Sequence, residues 1–288
     1  MFGEACEKAI RFTRPAIVST RQYNGAVNCS CGAFIILNED GWILTAGHLF
    51  DSFMAYHNDS KMIKDIEERN LKTPAGKPKI PIKPKWITNH SFWWGRDAVT
   101  LNDVFVDRKV DVAVGRLEPF DKSWVSEYPV IKDPAKMRPG TSLCKLGYPF
   151  TNVTATFDTE KNNFVLAEGT IPLPPFPIEG MHTRNIMRGK SADGSFDALY
   201  VETSSPGIRG QSGGPIFDRG CNICGIQLGT NHMPLDFRPE ANVDGKKIVE
   251  NQFINLGIGL HAKTIVDVLK SRGIKFSMEG DTDLKKIA

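Results

Sequence analysis

The 288-residue chain has no apolar run approaching the roughly 18 residues that a membrane-spanning helix needs. Its first residues carry charge at Glu4, Glu7, Lys8 and Arg11 and lack the apolar stretch of a secretory signal, so a cytoplasmic protein with no membrane partner is expected. The excess of positive over negative charge is also small. A net charge of +3 offers little attraction to a polyanion, and no nucleic-acid partner is expected. No internal repeat is visible in the motifs. Cysteine is limited to six residues: Cys6 and Cys144 stand alone, while Cys29 with Cys31 and Cys221 with Cys224 form close pairs. Independent reduced thiols, a redox pair, or a four-cysteine structural zinc site all fit that count. Reduced thiols and no cofactor are expected, because the two pairs lie far apart and need not meet. What remains is an ordinary globular composition, 41% hydrophobic and 24% charged, with enough chain for one large or two small cores.

Short β-rich runs separated by turn residues dominate. Residues 15–20, 32–37 and 41–46 read as strands, and Asn38-Glu39-Asp40-Gly41 is a hairpin turn between the last two. Met62, Ile63, Ile66 and Leu71 lie at near-helical spacing among charges and predict a surface helix over 59–72. The basic, proline-punctuated stretch 75–86 reads as a solvated insertion, with a docking surface for an acidic partner as the alternative. Phe92-Trp93-Trp94 either caps a core or lines a groove. Residues 103–118 return to strand alternation, 119–138 are polar and proline-rich, and a second strand-rich block runs from 141 to 261. Within it, 171–180 looks too proline-dense for a central strand. Ala262, Ile265, Val266 and Leu269 fall at i, i+3, i+4 and i+7, an amphipathic helix ended by Gly273.

The most informative residues are Gly210-Gln211-Ser212-Gly213-Gly214-Pro215, downstream of Thr45-Ala46-Gly47-His48. A serine hydroxyl becomes a good nucleophile when an imidazole takes its proton and amides hold the resulting oxyanion. Gly210 and Gly213 free the backbone around Ser212 to turn sharply and aim the amides of Gly210 and Ser212 at one point. His48 is the candidate base; the other five histidines lack its small-residue strand end. Asp111, which opens the apolar run Val112-Ala113-Val114, is a better orienting carboxylate than Asp97, Asp103 or Asp107, which sit in more polar surroundings.

These three stretches resemble the signatures of chymotrypsin-fold, trypsin-like serine proteases. The approach to the serine (201–215), Leu146-Gly147-Tyr148-Pro149 and the closing segment 256–261 look most like the HtrA-like, trypsin-2 branch. The likeness covers roughly 13–272. It implies an all-β fold of two antiparallel six-stranded β-barrels with the site in the cleft between them, a C-terminal helix and a helical insertion in the first barrel. The corresponding division is an extension at 1–14, a first barrel at 15–118 with an insertion at about 51–86, a connector at 119–138, a second barrel at 139–261, a helix at 262–272 and a tail at 273–288. That tail is too short for the PDZ domain HtrA relatives usually append. Leu49 follows His48 where many secreted relatives carry a cysteine, so their histidine-loop disulfide is excluded. Gln211 stands where digestive relatives have an aspartate, which excludes activation by a newly cut N-terminus.

By the same resemblance Pro206 is the base of the primary specificity pocket, Gln227, Leu228, Gly229 and Thr230 form its far wall, and Arg209 sits at its rim. The backbone of 227–229 is expected to pair with an extended polypeptide substrate. Pro206 cannot select a basic residue, and a small or medium apolar residue before the cut is expected. The function expected is a serine endopeptidase acting through an acyl-enzyme on Ser212. Two alternatives are an effector protease silent until a regulatory partner orders its oxyanion loop, and a peptide-binding module on a protease fold.

Overall fold

The computed structural model describes residues 1–281; residues 282–288 of the expected tail lie outside them. The chain opens with helix α1 (Gly3–Phe12), which sequence reading left as an extension. Phe2, Ala5, Ala9 and Phe12 make its buried face, and Glu4 in its first turn and Arg11 in its last complement the helix dipole. Six strands follow: β1 (Thr13–Gln22), β2 (Val27–Ile36), β3 (Trp42–Ala46), then, after helix α2 (Asp51–Leu71), β4 (Ile87–Trp93), β5 (Thr100–Asp107) and β6 (Val112–Glu118). They form one antiparallel sheet in the order β4-β1-β2-β3-β6-β5. Asn38 builds the β2–β3 turn by accepting the Asp40 amide at 3.0 Å, and Gly41 completes it at φ +79°.

The second half contains β7 (Val130–Ile131), β8 (Ser142–Gly147), β9 (Ala155–Asp158), β10 (Asn163–Leu166), β11 (Phe176–Lys190), β12 (Asp197–Thr203), β13 (Pro215–Phe217), β14 (Asn222–Pro234), β15 (Glu240–Val243), β16 (Lys246–Val249), β17 (Phe253–His261), α3 (Ala262–Ser271) and β18 (Ser277–Met278). The order β13-β8-β11-β12-β17-β14, with β13 also pairing β14, closes a six-stranded ring; β7 and β18 extend it in parallel. The first sheet differs. Among the described residues no ladder joins β4 to β5, so it curls without closing, and Phe92, Trp94, Leu101 and Val106 line the seam with Phe50.

Two expectations shift in detail, and the C-terminal helix forms where it is expected. The surface helix starts at Asp51, directly after the His48 turn; Ile63 and Ile66 anchor it inward, and Asp59 Oδ2 accepts the Ile87 amide at 2.9 Å. Strand β11 runs through Pro177, against the reading of that stretch as too proline-rich. Over 176–181 it pairs β8 only, and β12 joins from His182, so Pro177 needs no second ladder donor. In α3 the His261 ring nitrogen Nδ1 accepts the Lys263 amide as cap, and Ile265, Val268 and Leu269 are buried.

The two sheets share a core. Phe34, Ile43, Leu44 and Val112 pack on one side, and Leu146, Val201, Ile216 and Ile226 on the other. Burying each such side chain contributes about 1.5–3 kcal/mol. Tyr148 donates to the Thr13 carbonyl at 3.1 Å, and Tyr200 to the Val110 carbonyl at 3.3 Å, stitching the halves beside the cleft. No helix among the described residues is long and apolar enough to cross a membrane.

Candidate active site

Strands β3 and β6 pair Ala46 with Val112, which sets the turn after Ala46 against the turn before Val112. Gly47 makes the approach close: a Cβ there would lie 3.0 Å from the Val112 nitrogen. His48 and Asp111 therefore meet. The His48 amide donates to Asp111 Oδ1 at 2.6 Å, and His48 Nδ1 lies 2.8 Å from Asp111 Oδ2. Asp111 takes φ +64°, a left-handed conformation that aspartate tolerates better than most residues. Burial pushes the Asp111 carboxyl up, but the His48 bonds and the Arg108 charge outweigh it and hold the group below the usual carboxylate range. An ionised Asp111 makes Nδ1 the protonated nitrogen and leaves Nε2 free to accept.

The other aspartates have different tasks. Asp97 accepts from Trp93 Nε1 at 2.7 Å and Asp103 pairs with Arg116 at 3.1 Å. Buried Asp107 accepts the amides of Lys109, Val110 and Ala192, fixing the turn that presents Asp111. Sequence reading passed over Arg108. It donates to Asp111 Oδ1 at 2.7 Å and pairs with Asp51 at 2.7 Å, joining the first residue of α2 to the carboxylate that holds His48.

Ser212 reaches the same cleft from the second sheet. Its carbonyl accepts the Ala33 amide at 2.7 Å, so β2 holds the serine turn directly. Gly213, at φ +83°, packs so closely that a Cβ would sit 2.2 Å from the Ala33 carbonyl. Gly213→Ala is expected to cost about 2–5 kcal/mol of stability and to abolish turnover, as measured by urea unfolding and peptide hydrolysis. His48, Ser212, Gly210, Arg209 and Tyr148 line one cavity of about 510 Å³. Among the described residues no hydrogen bond joins Ser212 Oγ to His48; such contacts commonly tighten only when substrate arrives.

Gly210 adopts φ +96° and its carbonyl accepts the Tyr148 amide at 2.8 Å. The Gln211 amide donates to the Ile208 carbonyl at 2.9 Å, and Gln211 Oε1 accepts the Ile208 amide at 3.1 Å, so this buried glutamine clamps its own turn. With these groups engaged, the amides of Gly210 and Ser212 have no protein acceptor among the described residues. Both belong to the stretch from which the oxyanion donors are expected.

Pro206, Arg209, Gln227, Leu228, Gly229 and Thr230 all line a neighbouring cavity of about 400 Å³ that also includes Ser212. A register shift between Gln227 and Gly229 interrupts the ladder to β17 there. The backbone of Gln227 is not free as expected: its amide donates to Gly214 and its carbonyl accepts from Gly213, which leaves 228–230 as the edge available to a strand, with the Gly229 carbonyl already accepting from Gln227 Nε2 at 2.6 Å. His232 and Asn255 were missed. His232 Nδ1 lies 2.6 Å from Asn255 Oδ1 on the cavity wall, two residues beyond Thr230 on the same strand.

Cys29 and Cys31 sit on β2, whereas Cys221 and Cys224 are buried in the second sheet; Cys6 and Cys144, distant in sequence, come within 3.8 Å. Among the described residues no group of three or more His, Cys, Asp or Glu is arranged to hold a metal.

The sequence matches the family described as "Trypsin-like peptidase domain" over residues 31–226. No curated protein matches. Among solved structures, the chain is similar to the HtrA-type protease AlgW with a tripeptide (TM-score 0.50, 14% identity), covering 94% of this chain and 63% of that one. It is also similar to the Rv3671c protease from M. tuberculosis in its active form (TM-score 0.50, 13% identity), covering 95% of this chain and 86% of that one. The chain thus spans less than two thirds of the AlgW chain, and at such identity these likenesses speak to the fold alone. Because the family match takes in most of the chain, from β2 through the serine turn to β14, this protein belongs to the trypsin-like peptidase domain family.

Proposed function

We propose that the protein is a serine endopeptidase with Ser212 as nucleophile, His48 as general base and then acid, and Asp111 orienting the imidazole. One observation carries the reading: a carboxylate 2.8 Å from His48 Nδ1, on an imidazole that shares its cleft with Ser212 and two unpaired amides. Ser212 Oγ adds to the scissile carbonyl while His48 Nε2 takes its proton. The oxyanion accepts from the amides of Gly210 and Ser212. His48 then donates the proton to the leaving amine. A water, deprotonated by His48, attacks the acyl-enzyme and releases Ser212. The substrate strand adds to the edge at 228–230, placing one side chain in the cavity lined by Pro206 and Thr230. Incubation of the purified chain with unstructured casein, followed by mass spectrometry of the fragments, tests the reading; intact casein after prolonged incubation counts against it.

The partner-activated alternative draws support from one contact. Arg108 holds both Asp111 and Asp51, so a partner moving α2 would act on the carboxylate behind His48. Arg108→Gln is expected to lower kcat/KM by about 10- to 150-fold, the worth of one charge-assisted hydrogen bond. Arg108→Lys should recover part of the loss, and steady-state kinetics on a casein-derived peptide checks both.

A further inference from the structure

Beneath the floor of the primary pocket lies a cation without a carboxylate. Lys145, on β8, is fully buried. Its ammonium donates to the Ser205 carbonyl at 2.6 Å, the Pro206 carbonyl at 2.7 Å and the Thr203 hydroxyl at 3.2 Å. All three protons are thus placed, but every acceptor is neutral. Among the described residues no aspartate or glutamate forms an ion pair with it. Glu202, next to Thr203 on the strand, points the other way and is occupied by Arg184 at 2.9 Å and the Thr183 hydroxyl at 2.8 Å. Buried charges in proteins are normally paired.

The unpaired charge adjoins the pocket. Pro206, whose carbonyl receives the ammonium, is itself a wall of the 400 Å³ cavity. Gly257 packs against the same nitrogen, 2.8 Å from where a Cβ would be, and its amide donates to the Ser205 carbonyl at 2.9 Å. At the mouth stand Arg209 and His232, and no aspartate or glutamate lines the cavity. The expected apolar preference rested on the Pro206 side chain; it left out the charge behind that residue.

We propose that this pocket takes an acidic side chain, glutamate or aspartate, immediately before the cut, with the Lys145 ammonium as the buried counter-charge and Arg209 and His232 at the rim. The proposal rests on the endopeptidase reading above. Burial lowers the Lys145 pKa to about 7, outweighing the opposing influence of Cys144, and an arriving carboxylate would favour its charged form.

The experiment uses the full chain and matched peptides that differ only before the cut: Glu, Asp, Gln, Leu, Val or Lys. Glu is expected to exceed its uncharged isostere Gln in kcat/KM by roughly 10- to 100-fold, the scale of one charge pair several ångströms apart in protein surroundings. Lys145→Met is expected to bring the Glu-to-Gln ratio close to one; a purely structural role would lower both rates and keep the ratio. Should that variant not fold, the wild-type ratio decides alone, and Arg209→Gln separates the rim's share from the floor's. A wild-type ratio of one or less, or preference for Leu or Val, overturns the proposal and leaves the endopeptidase reading standing. Failure of every peptide, with no fluorophosphonate adduct on Ser212, overturns the endopeptidase reading and this proposal with it.

Discussion

Ser212→Ala is expected to lower kcat about a million-fold while leaving the protein folded. The side chain contributes little to the fold. Ser212 is half-buried, and its anchoring contact is the backbone carbonyl that accepts the Ala33 amide. Alanine keeps that carbonyl and its neighbours Gly210 and Gly213. What disappears is the hydroxyl that shares a cavity with His48 and Gly210. The residual rate should stay about 1,000- to 10,000-fold above the uncatalysed reaction, because the oxyanion donors and the substrate edge remain. Single-turnover hydrolysis of a cleavable peptide, beside a thermal unfolding curve that overlays wild type, checks both halves. Loss of activity with loss of fold would instead mark Ser212 as a packing residue.

Asp111→Asn should cost about 10,000-fold in kcat. Asparagine accepts φ +64° as readily as aspartate does, so the turn is kept. The chemistry is not. An amide nitrogen facing His48 Nδ1 donates, which moves the ring proton to Nε2 and deprives Ser212 of its base. Arg108 keeps Asp51 and loses its bond to a charge at Asp111. Stability supplies an independent check with a definite sign. Because the folded Asp111 pKa lies below its ordinary value, the carboxylate stabilises the native state at pH above that ordinary value, and the gain is lost as pH falls through the folded value. The stability difference between wild type and Asp111→Asn should therefore shrink below about pH 4, near the reference carboxyl value, as followed by urea unfolding across pH.

The site was legible where chemistry is written into a short stretch. Thr45-Ala46-Gly47-His48 encodes a strand end that can approach another backbone, and Gly47 meets Val112 at that place. The glycines around Ser212 anticipate the positive φ values at 210 and 213. Asp111 stood out from Asp107 by the apolar strand that follows it. Asp107 nevertheless proved the more deeply buried, as the cap that shapes the turn. What could not be read depends on chain crossings. Arg108 lies three residues from Asp111, yet its second partner opens a helix that reads as starting later. Lys145 sits in an apolar strand with no local sign that the turn at 205–206 would bring carbonyls to it. Helix α1 lacked a cap signature, and its register of Phe2, Ala5, Ala9 and Phe12 becomes informative only against a second sheet that starts more than a hundred residues later. Proline content misled at 177 because it bears on a strand with neighbours on both sides, and β11 has one there.

The central claim is that His48 activates Ser212. Intact-mass and peptide-mapping mass spectrometry after exposure to a fluorophosphonate tests it most directly, on wild type and His48→Ala side by side. One adduct, confined to the peptide containing Ser212 and formed only when His48 is present, is the predicted result. An unmodified wild-type Ser212, or equal modification with and without His48, would contradict the account.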